Sequence, residues 1–129
     1  MERNHVEGTW QKNRAFSPAV IVTGGTMIFV AGHGGQEDAS GKSLAGDFAA
    51  QSRQCFKNID STLKAAGGSL KDLVTMTVFI IDSRYGNTFT EIRREIFQEK
   101  FPASALITCA GFARTDMMVE IQGIAMVGR

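Results

Sequence analysis

The chain has 129 residues, of which 43% are hydrophobic and 21% charged, and its formal net charge is +1 at pH 7. These values are ordinary for a globular protein, and the length suits one domain with one modest core. The near-neutral charge argues against nucleic acid as a partner, because such binders usually carry a broad basic surface.

The few cysteines and histidines argue against a disulfide-rich protein and against a zinc protein. Two cysteines, Cys55 and Cys109, are too few for a disulfide framework and favour a reducing compartment. The histidines, His5 and His33, cannot form a zinc site with them at any usual spacing. The N-terminus lacks the apolar run of a signal peptide, and no apolar stretch is long enough to cross a membrane. We therefore expect a cytoplasmic protein with no metal site, no cofactor and no membrane partner.

The first quarter of the chain contains a polar segment and two β-rich runs. Residues 1–13 are polar and are predicted to form an N-terminal arm of a single domain spanning 1–129. The β-rich runs lie at 20–23 and 27–31, and the two glycines between them predict a hairpin, since a tight turn needs positive φ. The following residues, 32–42, have the composition of a loop.

A long helix is predicted next, from an N-cap at Asp47 to Ala66. Its apolar residues recur at helical spacing, and Gly67-Gly68 is a typical helix stop. Residues 69–72 resemble a short capped turn. The run from Leu73 to Ile81 has few charges on either face, which indicates a strand inside a sheet.

The last third of the chain contains a second helix and two strands. The helix is predicted around Phe89 to Phe97, with an apolar side and with Arg93, Arg94 and Glu95 on the solvent side. Pro102 ends the connection, and two apolar strands follow, joined by a loop from Gly111 to Asp116. Two helices can cover only one face of such a sheet, so a symmetric oligomer is expected to cover the other.

One acidic residue, Glu120, lies among apolar residues in the last strand. An ionised carboxylate is seldom fully buried without a partner, because desolvation disfavours the charged form. Glu120 therefore either points to solvent or lies in a pocket with a function. A purely structural acid, bonded to backbone amides across a subunit boundary, is a third interpretation.

Several segments together resemble the YjgF/RidA family, and the resemblance covers roughly residues 17–127. It rests on Ser17-Pro18-Ala19-Val20, Ala31-Gly32-His33, the Gln51 to Gly67 helix, Val74 to Ile80 and the two C-terminal strands. It implies an α+β, chorismate-mutase-like fold of order β-β-α-β-α-β-β, in which a mixed sheet carries two helices on one face. It also implies a homotrimeric barrel with small-molecule clefts between subunits. Active members of that family hydrolyse reactive enamines and imines.

The resemblance assigns roles to four positions, and this chain departs from the family at three of them. Glu120 matches the acid that positions water. Ser104 stands where the family has the arginine that binds the substrate carboxylate, Ala19 where it has a tyrosine, and Ala31 where it has a serine. A serine hydroxyl cannot replace a bidentate guanidinium. The resemblance therefore implies an altered substrate range, with Glu120 as the catalytic base.

Other residues are candidates for the pocket by their place in the chain. Arg14 and Phe16 precede the first β-rich run, and Arg14 could anchor an anion or be a solvated arginine. Arg114, in the last loop, is a second candidate anchor. His33 follows Gly32 at the predicted cleft rim, where an imidazole could move a proton, although a loop histidine without a partner is usually inert.

Three functions remain open from the sequence. The first is a hydrolytic deaminase of enamine or imine metabolites with an altered substrate range. The second is a non-catalytic trimer that binds a small metabolite in the same clefts, which the lost arginine favours. The third is an endoribonuclease or translation inhibitor, against which the near-neutral charge weighs.

Overall fold

Six strands and two α-helices make up the part of the chain that the computed structural model describes, residues 1–8 and 10–128. Thr9, in the predicted arm, and Arg129, at the end of the predicted domain, lie outside the described residues. In chain order the elements are β1 (Glu2–His5), β2 (Val20–Thr23), β3 (Thr26–His33), α1 (Phe48–Ala65), β4 (Leu73–Ile80), α2 (Gly86–Phe97), β5 (Ala103–Thr108) and β6 (Val119–Val127). Short 3-10 turns, Leu70–Asp72 and Ser83–Tyr85, precede β4 and α2.

The main sheet has four strands in the order β3-β6-β4-β5. β4 runs parallel to β5 and antiparallel to β6, so the sheet is mixed. β4 lies between β6 and β5, which confirms the prediction of an interior strand for this apolar run. The fold is α+β, with two helices and a mixed sheet, as predicted.

The N-terminal third of the chain differs from the prediction in its pairing. Gly24 and Gly25 have φ of 77° and 88°, so the chain does turn there. β2, however, pairs with β1 in a separate two-stranded sheet, and β3 pairs with β6. The predicted hairpin pairing is therefore wrong. Each of the two strands pairs with a strand from elsewhere in the chain, β1 or β6, and not with its neighbour in sequence. The same pairing makes residues 2–5 of the predicted arm a strand.

The first helix begins and ends as its sequence indicates. Asp47 is the N-cap, and its Oδ1 accepts a hydrogen bond of 3.0 Å from the backbone N–H of Ala50. Past the C-terminus, Gly67 has φ of 90°, and the N–H of Gly68 donates to the carbonyl of Leu63 at 2.8 Å. This glycine-assisted ending supplies further N–H donors to the carbonyls of the last turn.

The second helix differs in one important side chain. It starts at Gly86, three residues before the predicted start, and ends at Phe97 as predicted. Its apolar side contacts the core through Phe89 and Ile92. Arg93, predicted on the solvent side, is only 3% exposed. That prediction is wrong, because position 93 is one helical turn from both Phe89 and Phe97 and so faces the protein interior.

The core lies between the helices and one face of the main sheet. Its largest fully buried side chains include Phe56, Ile59 and Leu63 of α1, which pack with Met76, Val78 and Ile121 of the sheet. The opposite face, here called the open face, carries Met27, Phe29 and Ile107, which are 51%, 75% and 44% exposed. No described helix is long and apolar enough to span a membrane.

Candidate functional site

Glu120 lies on the open face of the sheet. Along β6, Val119 and Ile121 are buried against the helices, and the half-buried Glu120 between them points the other way. Its cross-strand neighbour on β4 is Phe79. Because side chains alternate along a strand, the Glu120 carboxylate lies beside Phe79 on the face that the two helices do not cover.

The Glu120 carboxylate has no hydrogen-bond or ion-pair partner among the residues that the structure describes. Its carboxyl end lies over the backbone of Gly32, where an added Cβ would come within 3.1 Å of Cδ and still closer to Oε2. Gly32 is thus required for this position of the carboxylate, because any side chain there would displace it. A free carboxylate against bare backbone can accept a proton from a bound water.

Ser104 lies on the other face of the sheet. Its register partner on β4 is Met76, which is 1% exposed in the core, and paired residues share a face. The hydroxyl Oγ accepts a hydrogen bond of 2.9 Å from Nη1 of Arg93 on α2. The expectation that Ser104 and Glu120 line one cavity is therefore wrong within a single subunit. The expectation fails because side chains alternate along each strand, and the observed register puts positions 104 and 120 on opposite faces of the sheet.

A cluster forms instead around the buried Arg93. Its Nη2 donates to the carbonyl of Arg14 at 3.0 Å, and its guanidinium carbon lies 5.4 Å from the ring centroids of both Phe16 and Phe89. Arg14, Phe16 and Ser104, three predicted pocket residues, are thus brought together by a residue that the sequence reasoning assigned to solvent. The signal that could have located it is the helical spacing of position 93 from Phe89 and Phe97.

His33 also points to the helix side. Nδ1 donates to the carbonyl of Ala31 at 2.7 Å, because a carbonyl can only accept. Nε2 lies 2.8 Å from the hydroxyl Oγ1 of Thr62 on α1. Both ring nitrogens are engaged, and the register partner of His33 is the buried Ile121. Within one subunit, His33 does not share a face with Glu120, and its place at the rim of a cleft between subunits stays a prediction.

The remaining candidates divide between exposed and paired side chains. The Arg14 side chain is exposed and has no ion pair with another described residue. Arg114 is already paired, through Nε and Nη2, with the carboxylate of Asp116 at 3.1 and 3.0 Å. Ala19 and Ala31 are exposed and offer only backbone polar groups. Arg114 is therefore a poorer candidate anchor than the sequence suggested.

Two further features of the site are a buried thiol and the arrangement of possible metal ligands. Burial, with a smaller contribution from the charge of Glu120, raises the pKa of the Cys55 thiol well above its usual range, so it remains a neutral thiol. Its Sγ donates to the carbonyl of His33 at 3.0 Å, a structural contact. Among residues 1–8 and 10–128, no group of three His, Cys, Asp or Glu side chains could hold a metal ion.

Comparison with known proteins supplies the family. The family model described as Endoribonuclease L-PSP matches residues 10–127. The human protein named 2-iminobutanoate/2-iminopropanoate deaminase is 33% identical over 113 residues, which are 88% of this chain and 80% of that one. A RutC family protein of Pyrococcus horikoshii is 32% identical, with 81% and 82% of the two chains covered.

Solved structures agree with this match. A Rid family protein of Yersinia pestis superposes with a TM-score of 0.86 over 98% of this chain and all of that one, at 21% identity, which speaks for the fold alone. RidA of Psychrobacter has a TM-score of 0.72 and 29% identity, with 94% and 100% of the chains covered. A mixed sheet with two helices on one face is a small α+β subunit that matches the fold of these Rid proteins. The chain belongs to the Endoribonuclease L-PSP family, also known as YjgF/RidA.

Proposed function

We propose that this protein is a RidA-like hydrolytic deaminase of reactive imine and enamine metabolites, with Glu120 as its general base. The observation that carries the proposal is the half-buried Glu120 carboxylate, which is free of partners among the described residues and lies over the bare backbone of Gly32. Relatives named 2-iminobutanoate/2-iminopropanoate deaminase, at about a third identity over most of the chain, support the same chemistry.

The proposed reaction needs one base and one water. An enamine first tautomerises to its imine. Glu120 takes a proton from water while the water oxygen bonds to the imine carbon, and the proton then passes to the nitrogen. The nitrogen of the resulting carbinolamine takes a further proton from solvent, and its C–N bond breaks to release ammonia as the C=O bond forms. The hydroxyl proton passes to the Glu120 carboxylate, which returns it to solvent. For 2-iminobutanoate the products are 2-oxobutanoate and ammonia.

The proposed site lies between subunits of a homotrimer. Phe29 and Met27 leave a large apolar area on the open face, and monomers seldom expose such patches. In one subunit Glu120 and Ser104 lie on opposite faces, so a ligand that contacts both must bind between two copies. The altered substrate range inferred from Ser104 is part of this proposal, and the cytoplasmic location stays a prediction.

A metabolite-binding trimer without turnover is the second candidate. It is favoured by the serine at position 104, whose hydroxyl is already bonded to Arg93 and cannot itself anchor a carboxylate with two charge-assisted bonds. An endoribonuclease is a weaker candidate. The net charge of +1 offers little for phosphate binding, and the ring of His33 is engaged at both nitrogens.

The test is ammonia release from freshly generated 2-iminobutanoate, followed for the wild-type protein, Glu120→Gln and the control Glu37→Gln. Glu37 is an exposed loop carboxylate, so its variant should match wild type. Loss of a general base should lower kcat/KM by about a hundredfold or more in Glu120→Gln. A wild-type rate no faster than the uncatalysed reaction would leave the binding trimer as the better account, and an undiminished rate in Glu120→Gln would refute the role of Glu120.

A further inference from the structure

The Arg93 guanidinium uses only part of its hydrogen-bonding capacity. It has five N–H donors, and two of them are engaged, by Ser104 Oγ and by the carbonyl of Arg14. Nε is buried and has no partner. Because the residue is 3% exposed, water cannot freely satisfy the other donors. A buried polar group in this state is costly unless a further acceptor binds it.

Arg93 also lacks a counter-ion. The ion pairs of the described residues pair six basic side chains with acids, and Arg93 is absent from them. Burial, and to a smaller extent the neighbouring charge of Arg94, lowers its pKa to about 10, so the group is still charged at neutral pH. The two phenyl rings that flank it stabilise a cation only in part. A buried cation without an anion is the arrangement expected of an anion-binding site before its ligand is bound.

A strained segment covers this guanidinium. Residues 11–17, here called the strap, place the Arg14 carbonyl and the Phe16 ring over Arg93. Asn13 and Ala15, on either side of Arg14, have φ of 66° and 62°, which non-glycine residues rarely adopt. Such strain persists only where surrounding contacts enforce it, and it is concentrated at functional sites.

The strap, which contacts Arg93, also lines a cavity of about 420 Å³. The strap lines one side of the cavity, and the charged side chains in its lining are two basic ones, Arg94 and Lys100, and two acidic ones, Glu7 and Glu99. The volume is in the range of small-molecule sites. A small anion in this cavity would need only a local shift of the strap to reach Nε and Nη2, the two donors on one edge of the planar guanidinium.

We propose that Arg93 is the anchor for the carboxylate of a small 2-oxo or 2-imino acid, which replaces the Arg14 carbonyl and accepts from Nε and Nη2 together. The identity of the acid rests on the function proposed above. The guanidinium that the strand lacks at position 104 is thus supplied by the adjacent helix, with Ser104 holding its Nη1. The substrate class then includes carboxylate-bearing imines, which Ser104 alone could not bind.

The experiment measures the affinity of the protein for 2-oxobutanoate and for 2-oxobutanamide by titration calorimetry. The amide has the same shape without the charge, so wild type should bind the acid at least tenfold more tightly. Arg93→Met should bind the two equally, and Arg93→Lys should keep part of the preference. Arg53→Met, which removes an exposed guanidinium paired with Glu95 on the outer helix surface, should match wild type.

Thermal melts and turnover assays of the same variants distinguish a failed anchor from an unfolded protein and from a failed deaminase function. If Arg93→Met unfolds, as judged by its thermal melt, the comparison rests on Arg93→Lys. Three results would overturn the proposal. The first is an unchanged preference for the acid in the Arg93 variants, and the second is no binding by wild type. The third is a loss of the preference in Arg14→Met but not in the Arg93 variants. If the acid binds through Arg93 but wild type has no turnover, the deaminase function is refuted and the Arg93 anchor stands. If wild type turns over its substrate and Arg93→Met has an unchanged KM, the anchor is refuted and the deaminase function stands.

Discussion

Glu120 shows how two residues far apart in the chain make one functional group available. Its strand sets the direction of the side chain, and Gly32 leaves the space that the carboxylate occupies. Neither feature alone would produce a free carboxylate. Glu120 is half-buried and has no partner among the described residues, and this distinguishes it from Asp116, which is paired with Arg114.

Arg93 is the second informative residue. Its charge suggests solvent exposure, but its position in α2 places it in the interior beside Ser104. Because position 104 faces Arg93 on the helix side, restoring an arginine there would bring two guanidinium groups together where space is limited.

We therefore predict that Ser104→Arg lowers the free energy of unfolding by about 1–3 kcal/mol, through overpacking and like-charge repulsion. Ser104→Ala, the control, loses the hydrogen bond to Arg93 without the added bulk and charge, so it should be destabilised less than Ser104→Arg. Denaturant unfolding measures both. A Ser104→Arg protein as stable as wild type and faster with 2-iminobutanoate would show that its guanidinium reaches the cleft.

At the scale of elements, α2 ends in an unusual way. Its C-cap, Gln98, has φ of 65° and ψ of −50°, and the N–H of Glu99 donates to the carbonyl of Phe97 at 2.7 Å. This is a γ-turn with positive φ, a strained conformation for a residue with a side chain. Gln98 is exposed, so its side chain gains little from burial there.

We predict that Gln98→Gly stabilises the protein by about 1 kcal/mol. Relief of strain should exceed the entropy that glycine adds to the unfolded state. The melting temperature should rise by about 2–4 °C for a chain of this size. Gln98→Ala keeps the strain and should change little. A fall in melting temperature for the glycine variant would mean that the turn is not strained.

At the scale of the whole molecule, the open face is the main unsatisfied surface. Its apolar side chains lie opposite the helices, and Phe29 is three-quarters exposed. Covering this face with copies of the same chain would bury the apolar area and shelter Glu120 from bulk water, which strengthens electrostatic interactions at the site.

We predict that Phe29→Asp dissociates the proposed homotrimer and lowers deaminase turnover with it, because a charge would have to be buried at the interface. Light scattering should show the mass falling from that of a trimer to the 14.0 kDa of one chain. Ser61→Asp adds the same charge on the exposed surface of α1 and should remain trimeric. A wild-type protein that is monomeric at micromolar concentration would contradict the interface.

Local patterns in the sequence were sufficient for much of the architecture. The N-cap at Asp47, the glycine stop of α1 and the interior position of β4 all follow from spacing and composition, because they depend on neighbours within a few residues or on the polarity of a single strand. The family could also be recognised from the sequence, since its motifs are spread along nearly the whole chain.

What the tertiary structure alone decided was pairing and side-chain direction. β2 pairs with β1 and not with β3, and the register that joins β4 to β5 puts Ser104 on the face opposite Glu120. A shift of one residue in register would have reversed that outcome, and no local pattern specifies it. Arg93 is buried because helix packing outweighed its charge. Phe89 lies one turn away on the same helix, but the Phe16 ring and the two oxygen acceptors come from segments that meet α2 only in the folded chain.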